Sequence, residues 1–137
     1  MNGPNFVNKL LGGERDFSKI QLPKGYDLAG YEGFSDLQRY LKEQDLRRNP
    51  VIIGDSSLVR LQAPGLYLPY VQGRGADLGG ADLGGADLWG ADLRGVGDLK
   101  TTLNLCDAIF RNTIVTEAEK QKIEAILKER KLFDVRN

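Results

Sequence analysis

The stretch "GADLGGADLGGADLWGADLRG", residues 75–95, writes Ala-Asp-Leu four times, each copy five residues after the last. A helix repeats its faces every 3.6 residues and a strand every 2. A five-residue spacing therefore spreads the four leucines around a helix and flips them from face to face along a strand. Neither regular element explains the repeat.

Worked outward from Leu78, Leu83, Leu88 and Leu93, the same spacing reaches back without a gap to residue 51. The upstream units are VIIGD, SSLVR, LQAPG, LYLPY and VQGRG, centred on Ile53, Leu58, Ala63, Leu68 and Gly73. Downstream the frame slips by one residue twice, at Val96 and Thr102. The next centres are Leu99, Leu105, Phe110 and Val115. Gly73 departs from the pattern, because a glycine puts no side chain at the central position. A local void, a bent coil or a different upstream frame would each account for it.

The A-D-L-x-G units resemble the pentapeptide-repeat family, whose motif is A(D/N)Lxx. The resemblance implies an all-β solenoid, a right-handed quadrilateral β-helix of about 3–4 coils with flanking α-helices. Each unit would form one side of a square coil, and four units would complete a turn. The central residue and the one two before it would point inward. The expected inward stack is Leu68, Leu78, Leu83, Leu88, Leu93, Leu99, Leu105, Phe110 and Val115. Burying each leucine contributes roughly 1.5–3 kcal/mol. Glycine suits corners that need positive φ. One coil cannot bury its own leucines, so coils must stack on neighbours.

Three regions follow. Residues 1–50 form an N-terminal region, in which 15–33 are compatible with an earlier partial coil centred on Phe17, Leu22 and Leu28. In the same region GFSDLQRYLKEQDLRRNP reads as a helix over 35–48, with Ser35 as cap and Gln38 at the capping-box position. Residues 51–115 are the repeat array. Residues 116–137 are a C-terminal helix and tail, opened by a capping box at Thr116–Glu119, with Ile123, Ile126 and Leu127 on one face. This helix either plugs the end of the solenoid or serves in a homodimer.

Composition narrows the chemistry. The chain has 137 residues, equal numbers of acidic and basic side chains, one cysteine and no histidine. A balanced charge offers nothing to draw in nucleic acid or an anionic membrane. Without histidine, Ser/His or Cys/His nucleophile activation and the common zinc sites are disfavoured. Cys106 points outward with no activating group. Asp77, Asp82, Asp87 and Asp92 fall on four different sides and diverge, so they form no metal or catalytic cluster. No basic leader with a long apolar run and no membrane-length apolar stretch is seen, which reads as a cytoplasmic protein. No phosphate, nucleotide or metal motif appears. The expectation is a non-enzyme with no cofactor and no metal.

One outer side is rich in aromatics. It displays Tyr67, Pro69 and Tyr70, then Trp89, then Ile109 and Arg111. Tyr67, Tyr70, Trp89, Ile109 and Arg111 are the candidate surface for a protein partner or self-association. The alternative is that a terminal helix of the same chain covers this side. The family resemblance carries another functional reading, a DNA mimic that binds DNA gyrase or topoisomerase IV. That reading calls for a long acidic rod. Residues 51–115 carry a net charge of only −2, and three to four coils span on the order of 16–20 Å.

Overall fold

The computed structural model describes residues 1–96 and 113–130. Parallel β-bridges join Ile52 to Gln72, Ser57 to Asp77, Gln62 to Asp82, Tyr67 to Asp87 and Gln72 to Asp92. Each pair lies twenty residues apart, so four five-residue units complete one turn. The bridges are isolated, and among the described residues there is no extended strand. The expectation of an all-β solenoid is therefore corrected in one respect. Each side contributes one bridged residue and then turns, too short a run to form a strand.

The burial pattern explains the spelling of the repeat. In every unit from 51 to 95 the first and third residues are buried. Leu68, Leu78, Leu83, Leu88 and Leu93 lie in the apolar core with Ala76, Ala81, Ala86 and Ala91. The aspartate between them bridges to the coil before it. Its carboxylate also accepts the N–H two residues on: Asp77 from Gly79, Asp82 from Gly84 and Asp87 from Trp89, each at 3.0 Å. The fifth residue takes positive φ, as at Gly80 (68°), Gly85 (69°) and Gly90 (71°). Each corner closes when the next unit's alanine donates back to the central leucine, as Ala81 N–H does to the Leu78 carbonyl at 2.9 Å. A reverse turn with positive φ at its third residue is a type II turn, for which glycine is the favoured residue. Proline fits the second position of such a turn, where Pro64 and Pro69 stand.

Between coils the bonds are reciprocal. Asp77 N–H donates to the Ser56 carbonyl and Leu58 N–H to the Asp77 carbonyl, both at 2.8 Å. The pairing continues beyond the ungapped array. Asp92 bridges to Ile114, twenty-two residues on. This is the offset that the two one-residue slips require. At the other end Asp16, Gln21 and Asp27 bridge to Ile52, Ser57 and Gln62, and Phe17, Leu22 and Leu28 are buried. The partial coil in 15–33 thus supplies three sides of a first turn. Along one side the rungs run Asp16, Ile52, Gln72, Asp92, Ile114, four steps or about 19 Å at strand spacing.

Gly73 leaves no void. A Cβ built there would meet Leu93 Cδ2 at 3.3 Å and Ile53 Cδ1 at 3.8 Å. The branched side chains of the coils above and below fill the space that the glycine vacates.

Among the described residues three helices flank the coil: α1 (Gly3–Leu11), α2 (Phe34–Lys42) and α3 (Glu117–Arg130). Helix α1 was not anticipated from the sequence. Asn2 caps it by accepting the Asn5 N–H at 2.8 Å. It buries Phe6, Val7 and Leu10, with Phe6 edge-on to Phe17 at 4.8 Å. Helix α2 is shorter than the expected 35–48, and its start is corrected too. Gly33 is the N-cap, with no side-chain cap bond. Ser35 lies inside the helix, and Gln38 bonds to the coil. The buried stripe is Leu37 and Leu41. Arg15 ties the two helices to the first coil. Its guanidinium donates to the Leu10 carbonyl at 3.2 Å and to the Tyr40 hydroxyl at 2.9 Å. The box that opens α3 forms as expected: Thr116 N–H donates to Glu119 at 2.9 Å, and Glu119 N–H to Thr116 Oγ1 at 3.2 Å. Ile123 is buried, and Val115 packs partly buried against the same core. Leu99, Leu105, Phe110, Cys106 and the 131–137 tail lie outside the described residues, as do the side chains of Ile126 and Leu127.

Candidate protein-docking surface

The aromatic side is built from two stacked units, 66–70 and 86–90, joined by the bridge between Tyr67 and Asp87. The structure divides its candidate residues into two groups. Tyr67 is occupied from within the chain. Its N–H donates to Gln38 Oε1 at 2.8 Å, and Lys42 Nζ lies 5.8 Å from its ring centroid. Helix α2 thus covers one end of this side. Pro69, expected to face outward, is buried.

Tyr70 and Trp89 form the second group. Their rings meet edge to face, 5.4 Å between centroids at 72°. Such pairs contribute about 0.5–1.5 kcal/mol beyond the area they bury. The backbone sets this meeting up. Tyr70 N–H donates to the Trp89 carbonyl at 2.7 Å, and the Asp87 carboxylate accepts the Trp89 N–H. Tyr70 occupies a corner at φ 65°; the corners at 65, 75, 80, 85, 90 and 95 are glycine, and only the smaller or flexible Asp55 (55°) and Arg60 (57°) share its place in units 51–95. Left-handed backbone costs a non-glycine residue roughly 1–2 kcal/mol. Both rings are half-buried. Ile109 and Arg111 lie outside the described residues.

The neighbouring side, reached around the Tyr70 corner, carries charge. Asp92 was expected to face outward like its sister aspartates, yet it is only 6% exposed. Arg94 holds it by two bonds, Nε to Oδ1 at 2.9 Å and a terminal nitrogen to Oδ2 at 2.7 Å. Arg74 approaches the same carboxylate at 3.9 Å. The Arg94 hydrogen bonds hold the Asp92 carboxyl below its ordinary value, against the opposing effect of burial. Next to it Ile114 is 48% exposed. Sequence spacing carried no signal for the burial of Asp92.

Among the described residues no group of three or more His, Cys, Asp or Glu could hold a metal ion. No helix there is long and apolar enough to cross a membrane.

Residues 74–99 match the family model described as pentapeptide repeats (8 copies). The chain carries pentapeptide repeats. The matched segment is the part with the most regular spelling. The pentapeptide geometry runs further, since units 51–73 bury the same first and third positions and bridge at the same twenty-residue offset. Those units read Val, Ser or Leu where the matched ones read Ala, so turn and burial tolerate more chemistry than the motif spells. No curated protein matches the chain.

Proposed function

We propose that this chain is a non-catalytic docking scaffold built on a small right-handed quadrilateral β-helix. A protein partner or a second copy would dock at the Tyr70–Trp89 corner. The observation behind this reading is Tyr70 itself. A bulky aromatic held at positive φ, where most equivalent corners are glycine, costs stability. Such strain concentrates where a side chain has a task. Tyr and Trp are also the residues most often found as energetic anchors of protein interfaces. The stacked coils supply a rigid base for the pair, so little order would be lost on docking.

The experiment pairs two variants. Tyr70→Gly relieves the corner and keeps the fold. Trp89→Asp places a charge at the centre of the contact. Sedimentation equilibrium and affinity capture against wild type are the readouts. Loss of self-association or of partner capture in both, with unchanged circular dichroism, supports the assignment. Two folded variants that associate and capture like wild type would sink it.

The DNA-mimic reading gains nothing from the charged side, because Arg94 and Arg74 offset the buried Asp92. A DNA mimic needs an unbroken run of negative charge. Added protein should leave the supercoiling activity of gyrase unchanged at micromolar concentration.

A further inference from the structure

Bridge partners lie twenty residues apart throughout 52–92, but 35 or 36 apart between the first turn and the second. The twenty residues 31–50, which hold α2, stand in place of a five-residue fourth side and account for 15 of the excess. That side should present a backbone carbonyl to the N–H of Tyr67. In the next turn the equivalent N–H, that of Asp87, donates to the Leu66 carbonyl at 2.9 Å. For Tyr67 the acceptor is a side chain. Gln38 Oε1 takes the bond at 2.8 Å, and Gln38 Nε2 donates to the Gly65 carbonyl at 2.7 Å.

We infer that Gln38 is an edge guard, a side-chain amide standing in for the peptide group of the absent fourth side and setting the register of α2 on the coil. The primary amide has the chemistry for this, a carbonyl acceptor and an N–H donor on one planar group. The oxygen replaces the missing rung. The nitrogen pins the group to the corner that leads into it. Helix geometry supplies the aim. Leu37 and Leu41 are fully buried, and Gln38 sits beside them on the half-buried flank that meets residues 65–67. An unguarded rung would leave an unpaired donor at the end of a stacked coil, the kind of edge that recruits another extended chain. The inference does not depend on the docking reading, since it concerns the opposite end of the aromatic side.

Residue-resolved amide exchange on the full chain tests it, with the Asp87 amide as internal reference. In wild type both amides are protected. Gln38→Ala should speed exchange at Tyr67 by roughly five- to tenfold or more, the scale of one lost hydrogen bond, and leave Asp87 unchanged. Gln38→Glu keeps the acceptor and loses the donor, so the Tyr67 amide should stay protected. Unchanged Tyr67 exchange in Gln38→Ala overturns the inference. So does exchange in Gln38→Glu as fast as in Gln38→Ala. If Gln38→Ala exposes both amides, the glutamate variant decides: Tyr67 protected there supports the guard, and Tyr67 exposed there refutes it.

Discussion

The ring of Tyr70 lies over the Gly90 corner, and a Cβ built on Gly90 would come within 2.7 Å of it. Gly90 therefore answers two demands. It supplies φ 71°, and it leaves room for the ring that meets Trp89. Gly85 answers only the first: its φ is 69°, with no atom closer than 3.9 Å to a built Cβ. Gly85→Ala should cost about 1–2 kcal/mol from backbone strain alone. Gly90→Ala should cost more, and the excess should vanish in a Tyr70→Gly background. Urea midpoints of Gly85→Ala, Gly90→Ala, Tyr70→Gly and the Gly90→Ala/Tyr70→Gly double variant measure this directly.

Ser56 reaches from the second coil into the first. Its hydroxyl donates to the Phe17 carbonyl at 2.8 Å and accepts the Ile20 N–H at 3.1 Å. These two groups would close the corner on each other in an ordinary unit. Here a side chain from the next turn joins them, 2% exposed. Ser56→Ala copies the alanine of the matched repeats, yet it should destabilise by about 1–3 kcal/mol by leaving both groups unpaired. A stability equal to wild type in chemical denaturation would count against this account.

At Gly73 the neighbours decide the outcome. Its φ is not in the left-handed region, so alanine meets no backbone strain, only close contacts with Leu93 Cδ2 at 3.3 Å and the Asp92 carbonyl at 3.4 Å. Gly73→Ala should change stability by less than about 1 kcal/mol. Gly73→Leu restores the motif residue, but it should cost roughly 1–3 kcal/mol through overpacking between Ile53 and Leu93. Melting temperatures that rise with the leucine would show that the site holds unused space.

Asp92 predicts a pH dependence. Its carboxyl titrates below the ordinary range because Arg94 bonds the charged form. The unfolded chain then binds protons more readily than the folded one. The contribution is complete above the unfolded value, about 4, and is lost as pH falls through the lower folded value. Asp92→Asn should flatten the acid limb of the stability profile and leave the neutral-to-alkaline limb alone. Asp16, whose carboxyl is likewise lowered, there by bonds from Ser18, is the matched control on the first coil. Acid denaturation curves of the two asparagine variants separate the contributions.

Much of this structure was written locally. The five-residue frame, the two slips that bring Ile114 beside Asp92 and the Thr116–Glu119 cap depend on neighbours within one unit or one helical turn, so they leave a periodic trace. The same holds for the partial coil before residue 31, whose spacing survives although its motif is degraded. Helix α1 left a weaker trace, since its nine residues bury only the apolar side chains Phe6, Val7 and Leu10 and carry one cap.

The sequence by itself determined where the chain turns and which side chains face the axis, because a corner and an inward pair are requirements each unit meets alone. Only the tertiary structure decided what happens on the outside. It covered Tyr67 and left Tyr70 with Trp89, buried Asp92 between arginines, and turned Gln38 from a helix cap into a rung. Apart from Arg94, two residues from Asp92, the partners lie eighteen or more positions away and are brought together by the stacking of turns.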